Sequence, residues 1–222
     1  TLSFSSGMAA ISAVFSILPI GAPVVASNQG YSGTMGLLNQ HHASGRLEVR
    51  FVDITNTDEV IGAMKGAALV WLESPTNPCL DLADLPQLIA AAKKLTVGVG
   101  VDNTFATPIN QNPLSLGADL VLHSATKFLC GHSDAMGGVL AGKKELVQKV
   151  YNYREINGAS LQADPAYMIA RGMKTLELRI ERQNASALKI AQYLKAHPKV
   201  QDVYYPGLPT HPGHEIAKAQ MS

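Results

Sequence analysis

Cysteine is scarce. The chain has two among 222 residues, Cys79 and Cys130, so no disulfide framework organises it and reduced thiols are the expectation. An excess of one charge sign is also missing. Net charge is +1, charged residues make up 16%, and like charges form no long run. That excludes nucleic acid as the main partner and a polybasic membrane anchor. No apolar stretch reaches the ~18 residues that cross a bilayer. Met8–Ile20 is too short, and it lacks the basic flank of a signal peptide. A cytoplasmic protein is therefore expected, with an organelle open as an alternative. The chain begins at Thr1 without Met and ends on Gln220-Met221-Ser222 inside a helical pattern, so a piece of a longer protein is expected.

What the chain has is apolar residue in short runs. Hydrophobic residues make up 46%, enough for a large core. The runs are PVVAS (23–27), EVRFVD (48–53), ALVWLE (68–73), VGVGVD (97–102), DLVLH (119–123) and GVLA (138–141). Between them lie helical patterns. Met8–Leu18 places Ile11, Val14, Phe15 and Leu18 on one face, and Leu82–Lys94 does the same with Leu85, Leu88, Ile89 and Ala92. Strands apolar on both faces, alternating with amphipathic helices, predict a mostly parallel α/β sheet. Right-handed crossovers then gather the strand C-terminal ends on one edge, where ligands of such sheets sit.

The pattern changes near Lys174. Residues 175–196 read as one long helix with Leu178, Ile180, Leu188, Ile190 and Leu194 as its apolar members, followed by a strand over Val200–Tyr205. Two domains are expected: residues 1–174, and the opening of a smaller α/β domain over 175–222.

The predicted strand ends are rich in polar chemistry. Glu73 and the turn Ser74–Pro78 follow one strand, Asp102-Asn103-Thr104 end another, and Ser124, Thr126 and Lys127 follow a third. Ser5-Ser6-Gly7-Met8 opens the first helix, and unpaired N–H groups at such an end suit a phosphate. Ser124 and Thr126 alternate, so both hydroxyls could reach one dianion. A carboxylate closing a buried strand, as Asp102 does, is costly unless it meets a cation. A phosphate, a cation opposite Asp102 and a reactive amine at Lys127 together fit pyridoxal 5′-phosphate (PLP). Its aldehyde forms a Schiff base with lysine, and its protonated pyridine ring is an electron sink.

The same residues resemble the Cys/Met-metabolism PLP enzymes, whose members include cystathionine γ-synthase, cystathionine γ-lyase, cystathionine β-lyase and methionine γ-lyase. The resemblance is carried by Asp119–Ser133 around Lys127, with Ser6–Ala10, Tyr31–Thr34, Glu73–Pro78, Val101–Phe105, Arg171–Leu176 and Tyr205–Leu208 in the same order. It implies the fold of type I PLP enzymes, that of aspartate aminotransferase. It also implies roles. Lys127 would carry the cofactor and move protons, and Tyr31 would stack on the ring and assist in proton transfer. Asp102 would pair with the pyridinium nitrogen. Gly7 and Met8 would offer N–H groups to the phosphate, joined by the hydroxyls of Ser124 and Thr126. Asn77 would approach the phenolic oxygen, with Glu73 and Thr104 near that network. A Tyr-x-Arg segment that completes the phosphate site across a subunit interface would lie before Thr1. The arginine that holds the substrate carboxylate would lie beyond Ser222. The substrate would be a small amino acid, and the full-length protein a homotetramer built from dimers.

Plainer readings stand beside these. Asp102 could cap the turn into Asn103-Thr104, Tyr31 could simply start a helix, and Ser6-Gly7 could be an ordinary N-cap. Asn77 and Glu73 fit a turn on their own terms. His41-His42 and His211/His214 lack metal-ligand spacing, so no metal is expected. Within the family, Ser32-Gly33-Thr34 shows no cysteine after Tyr31, which argues against methionine γ-lyase. Asp102–Gln111, Arg171–Leu176 and His197–Tyr205 look most like cystathionine γ-synthases, whereas His132-Ser133-Asp134 is equally common among γ-lyases. The synthase is the first expectation, with the γ-lyase next. A lysine Schiff-base aldolase without PLP, and an inactive piece that binds no cofactor, are the alternatives outside the family.

Overall fold

The computed structural model describes residues 1–221. Seven strands form one sheet: β1 (Leu2–Phe4), β2 (Ala22–Ser27), β3 (Leu47–Val52), β4 (Leu69–Glu73), β5 (Gly98–Asp102), β6 (Leu120–Ser124) and β7 (Gly138–Gly142). Their order is β1-β7-β6-β5-β4-β2-β3. From β3 to β6 all pairings are parallel, whereas β7 runs antiparallel to both β6 and β1. The mostly parallel α/β sheet read from the sequence is therefore present, with the six strands predicted before residue 174 in place. β1 was not predicted: three residues carry too little periodicity to register.

Ten helices flank the sheet: α1 (Gly7–Ser16), α2 (Ser32–Ala43), α3 (Thr57–Ala63), α4 (Leu85–Lys94), α5 (Thr107–Asn110), α6 (Pro113–Leu116), α7 (Lys144–Asn157), α8 (Ala163–Met173), α9 (Leu176–Lys195) and α10 (His214–Gln220). α1 buries Ile11, Val14 and Phe15 against β2, β6 and β7. α4 buries Leu85, Leu88, Ile89 and Ala92 on the opposite face, with Val99, Val101 and Val121. α4 starts later than the periodicity indicated, because the Asp84 carboxylate accepts from Gln87 N at 3.0 Å and caps the helix there. Two apolar layers thus sandwich one sheet, which is why its central strands carry apolar residues on both faces.

Two expectations fail in the last third. Val200–Tyr205 forms no strand. It has no partner ladder among the described residues, and Gln201, Asp202 and Tyr204 are exposed, so little apolar area holds it. α9 spans nearly the predicted range, but Leu178 (69% exposed) and Ile190 (58% exposed) face outward. Leu176, Ile180 and Ala191 make its buried face. No helix among the described residues is long and apolar enough to cross a membrane.

Candidate active site

The parallel strands deliver their C-terminal residues to one edge. In register, Glu73 lies beside Asp102, and Asp102 beside Leu122 on β6, five residues before Lys127. Both carboxylates are buried, Glu73 at 8% and Asp102 at 7% exposure.

Asp102 accepts from the N–H of Thr104 at 3.0 Å and from its hydroxyl at 2.6 Å. It makes no ion pair among the described residues. Burial pushes its pKa up, and the two bonds from Thr104 offset only part of that. A buried carboxylate with no cation in its own chain suits an incoming cation. The Thr104 hydroxyl also accepts from Ser124 N at 2.8 Å, so one side chain ties the end of β5 to the end of β6.

Glu73, expected near the cofactor network, holds backbone on two sides. One oxygen accepts from Tyr31 N at 2.8 Å and the other from Asn77 N at 3.0 Å. Its carboxylate thereby ties the start of α2 to the turn after β4. Gly30 leaves room beside it, since a Cβ there would stand 3.0 Å from the Glu73 carboxylate and press on it. Burial, with the neighbouring Asp102 charge, pushes Glu73 up to about 7 against the pull of its two N–H partners.

The third strand end carries the phosphate-like cradle. The N-terminus of α1 abuts Ser124: a Cβ on Gly7 would meet Ser124 Cβ at 3.0 Å and Oγ at 3.1 Å. Ser6 caps the helix by accepting from Ala9 N at 3.0 Å. The N–H groups of Gly7 and Met8 have no protein acceptor among the described residues, so a bound anion would find them free. The Thr126 hydroxyl accepts from Gly137 N at 3.1 Å and donates to Gly137 O at 3.2 Å, which fixes the turn before Lys127. Lys127 is exposed, and it ion-pairs with no carboxylate among the described residues. Tyr31, 41% exposed, opens α2. A Cβ on Gly33 would stand 2.6 Å from the Tyr31 ring and 2.9 Å from Met8 Sδ, so ring and thioether flank one spot. The ten residues read as a site thus lie on the ends of α1, α2, β4, β5 and β6.

Polar groups behind this edge escaped sequence reasoning. Gln111 Nε2 donates to Ser74 O and to Asn103 Oδ1, both at 2.8 Å, and Gln220 of α10 donates to Gln111 Oε1 at 3.1 Å. This buried amide chain supports the turns after β4 and β5. Only its burial reveals it, and a glutamine in a loop gives no such signal in sequence. The histidines set aside as metal ligands have structural partners. His211 Nδ1 accepts from Gly213 N at 3.0 Å, and His214 Nδ1 lies 2.8 Å from Pro206 O.

Glu73 and His123 predict a compensated pH profile for the cofactor-free protein. Glu73 is raised from 4.5 to about 7, so the folded state holds its proton more tightly than the unfolded chain. Stability from that group is full below 4.5 and lost as pH rises towards 7, by about 3 kcal/mol. His123 is lowered by burial from 6.5 to about 4, so its contribution is full above 6.5 and lost as pH falls towards 4. The two slopes oppose, so each masks the other between pH 4.5 and 6.5. His123→Gln should expose the Glu73 slope, with the unfolding free energy falling as pH rises in urea titrations. A slope unchanged from the parent would refute this assignment.

Known proteins place the geometry. The sequence profile of the family described as Cys/Met metabolism PLP-dependent enzyme matches residues 1–222. The chain belongs to this family. The family depends on PLP, as the carboxylate, amine and anion cradle suggest. L-methionine γ-lyase of Fusobacterium nucleatum subsp. polymorphum is 46% identical over 98% of this chain and 56% of its own length. Cystathionine γ-synthase of Mycobacterium leprae is 43% identical over 98% and 57%. The crystal structure of cystathionine γ-lyase (CalE6) from Micromonospora echinospora superposes with a TM-score of 0.95 at 41% identity, over 99% of this chain and 59% of that one. Proteins named cystathionine β-lyase match at 43–45% identity. The chain therefore spans about half the length of the curated relatives it matches, from 40% to 58%. Identities this close separate no reaction within the family.

Proposed function

We propose that the full-length protein is a PLP-dependent enzyme of sulfur amino acid metabolism, acting at the γ carbon of its substrate. One observation carries the reading: the buried, cation-free Asp102 stands on the strand beside the one that presents Ser124 and Lys127, with the α1 N-terminus against Ser124. PLP, when bound, supplies an electron sink for charge developing at the substrate α-carbon.

The chain's own groups do the rest. Lys127 Nζ would hold the cofactor covalently, and its amine would take and return protons at the substrate carbons. Asp102 holds a proton on the ring nitrogen, and Thr104 keeps that carboxylate aimed by its two hydrogen bonds. Gly7 and Met8 N–H, with the Ser124 hydroxyl, would bind the phosphate, and the Thr126 hydroxyl would join them by turning its proton from Gly137 O. Tyr31 stacks on the ring, and Glu73 fixes both Tyr31 and Asn77 by their backbones. Homotetramer formation would cover exposed apolar side chains such as Ile156, Tyr167 and Leu178.

Within the family the proposal is cystathionine γ-synthase, replacing the γ-substituent of an O-activated homoserine with cysteine. Ser32-Gly33-Thr34, with no cysteine after Tyr31, supports it against methionine γ-lyase. γ-Elimination is the second reading, favoured by the 46% identity to a protein named methionine γ-lyase. The deciding experiment gives the PLP-loaded full-length protein O-activated homoserine with cysteine, then cystathionine alone, then methionine, and reads products by mass. Cystathionine as the main product of the first mixture supports the synthase. Rapid release of α-keto acid and thiol from the others, with no cystathionine made, would overturn it.

A further inference from the structure

Arg179 lies on α9, one turn after Thr175, where a helix cation pointing into solvent would be unremarkable. It is bound instead to the segment that follows Lys127. Its Nη1 donates to Phe128 O at 2.8 Å, and its Nη2 to Gly172 O at 2.8 Å and Leu129 O at 3.4 Å. Nε donates to Thr175 Oγ1 at 3.1 Å, which orients the guanidinium. No carboxylate pairs with it among the described residues. The planar fork thus spends its donors on carbonyls, two from the lysine loop and one from the C-terminal turn of α8, where a cation is favoured.

The loop is shaped to admit it. Gly131 has φ +77, and a Cβ there would stand 2.1 Å from Arg179 Nη1. Gly172 lets α8 close on the same loop, since its Cβ would stand 2.0 Å from Cys130 O. Within the loop, Lys127 N donates to Ser124 O at 3.1 Å and Gly131 N donates to Lys127 O at 2.7 Å. Lys127 therefore sits on a short turn anchored upstream by β6 and downstream by Arg179.

We infer that Arg179 is a positioning residue, fixing the turn that presents Lys127 Nζ to the cofactor's aldehyde carbon. The inference rests on the reading of Lys127 as the attachment point. Without the guanidinium, neighbouring carbonyls of the loop and of α8 lose their shared donor. Arg179 is partly exposed, so water replaces these bonds and the protein stays folded. What is lost is the geometry of the turn.

Methylamine reads that geometry directly. It displaces Lys127 from the aldehyde carbon, one amine exchanging for another without redox change. The concentration that half-displaces Lys127 measures how well its Nζ is placed. It is read as loss of the borohydride-fixed cofactor on the Lys127 peptide in the PLP-loaded full-length protein. Arg179→Gln should lower that concentration about tenfold. Arg179→Lys, which keeps charge but not the fork, should lower it less, and Gly131→Ala, which pushes the guanidinium aside, should act like Arg179→Gln. Unchanged half-displacement in whichever of these variants load PLP would overturn the role of Arg179. Lys127→Ala is the separate control: a fixed adduct that persists there overturns the attachment reading itself, whereas its loss leaves Arg179 to stand or fall alone.

Discussion

Lys127→Ala should abolish turnover, by at least about 10⁴-fold, and should remove the visible absorbance band of the PLP-loaded full-length protein. The size follows from two duties on one nitrogen. Nζ holds the cofactor's aldehyde, and after substrate has displaced it, it is the base that moves protons. The neighbours of Lys127 on its turn, Thr126 and Phe128, carry no amine, and the turn's backbone bonds fix its direction. Its exposure agrees with this role. An amine that must meet an incoming aldehyde needs access, and one already paired with a carboxylate would be poorly nucleophilic. Folding should be little affected, since an exposed lysine contributes little packing. The checks are turnover, the absorbance spectrum, and mass of the borohydride-reduced protein. An intact adduct on the variant would move the attachment elsewhere and undo the site as drawn.

How far the sequence could be read follows from where its information is local. Six strands were legible because buried strands are apolar runs, and three of those runs lead into the residues that chemistry needs: Glu73, Asp102, and Ser124 ahead of Lys127. β1 was not legible, because its three residues are held by pairing with β7, a contact more than a hundred residues away in sequence. Val200–Tyr205 has strand-forming residues and no partner strand among the described residues, and composition alone does not show that. On α9 the period was right and the buried face was not. Leu178 and Ile190 are apolar yet exposed, and pattern alone cannot tell which apolar stripe meets the core. At the site, residue types could be recognised but bonds could not. Glu73 looked like a cofactor neighbour, and it braces two backbone amides. Thr104 was placed in the network, but its hydroxyl also receives Ser124 N and so joins two strand ends. Arg179 gave no signal, since its partners are carbonyls, which every residue has.

Asp102→Ala should keep the cofactor attached to Lys127 and lose most turnover, about 10²–10⁴-fold. The two results separate because attachment uses the aldehyde and catalysis uses the ring nitrogen at the other end. In the folded chain Asp102 is buried, its pKa is raised by that burial, and its hydrogen bonds come from Thr104 alone. A carboxylate in such a place is unfavourable until a cation arrives, so cofactor and carboxylate stabilise each other's charge. Removing the carboxylate takes the proton from the ring and with it the sink. It also removes a buried charge that costs the cofactor-free protein stability, so the empty variant should unfold no earlier than the parent, and could unfold later. Asp102→Asn is the sharper comparison. It keeps the shape and can still accept from Thr104, but it cannot hold a proton on the ring nitrogen. It should lose turnover nearly as far as alanine does, with the visible band retained and shifted. Stability, colour and rate are then three readouts with three different expected directions, taken by thermal melting, absorbance and product formation. If Asp102→Asn turned over near the parental rate, the electron-sink role of Asp102 would be refuted, and the buried carboxylate would be left as a bracket between Thr104 and the end of β5.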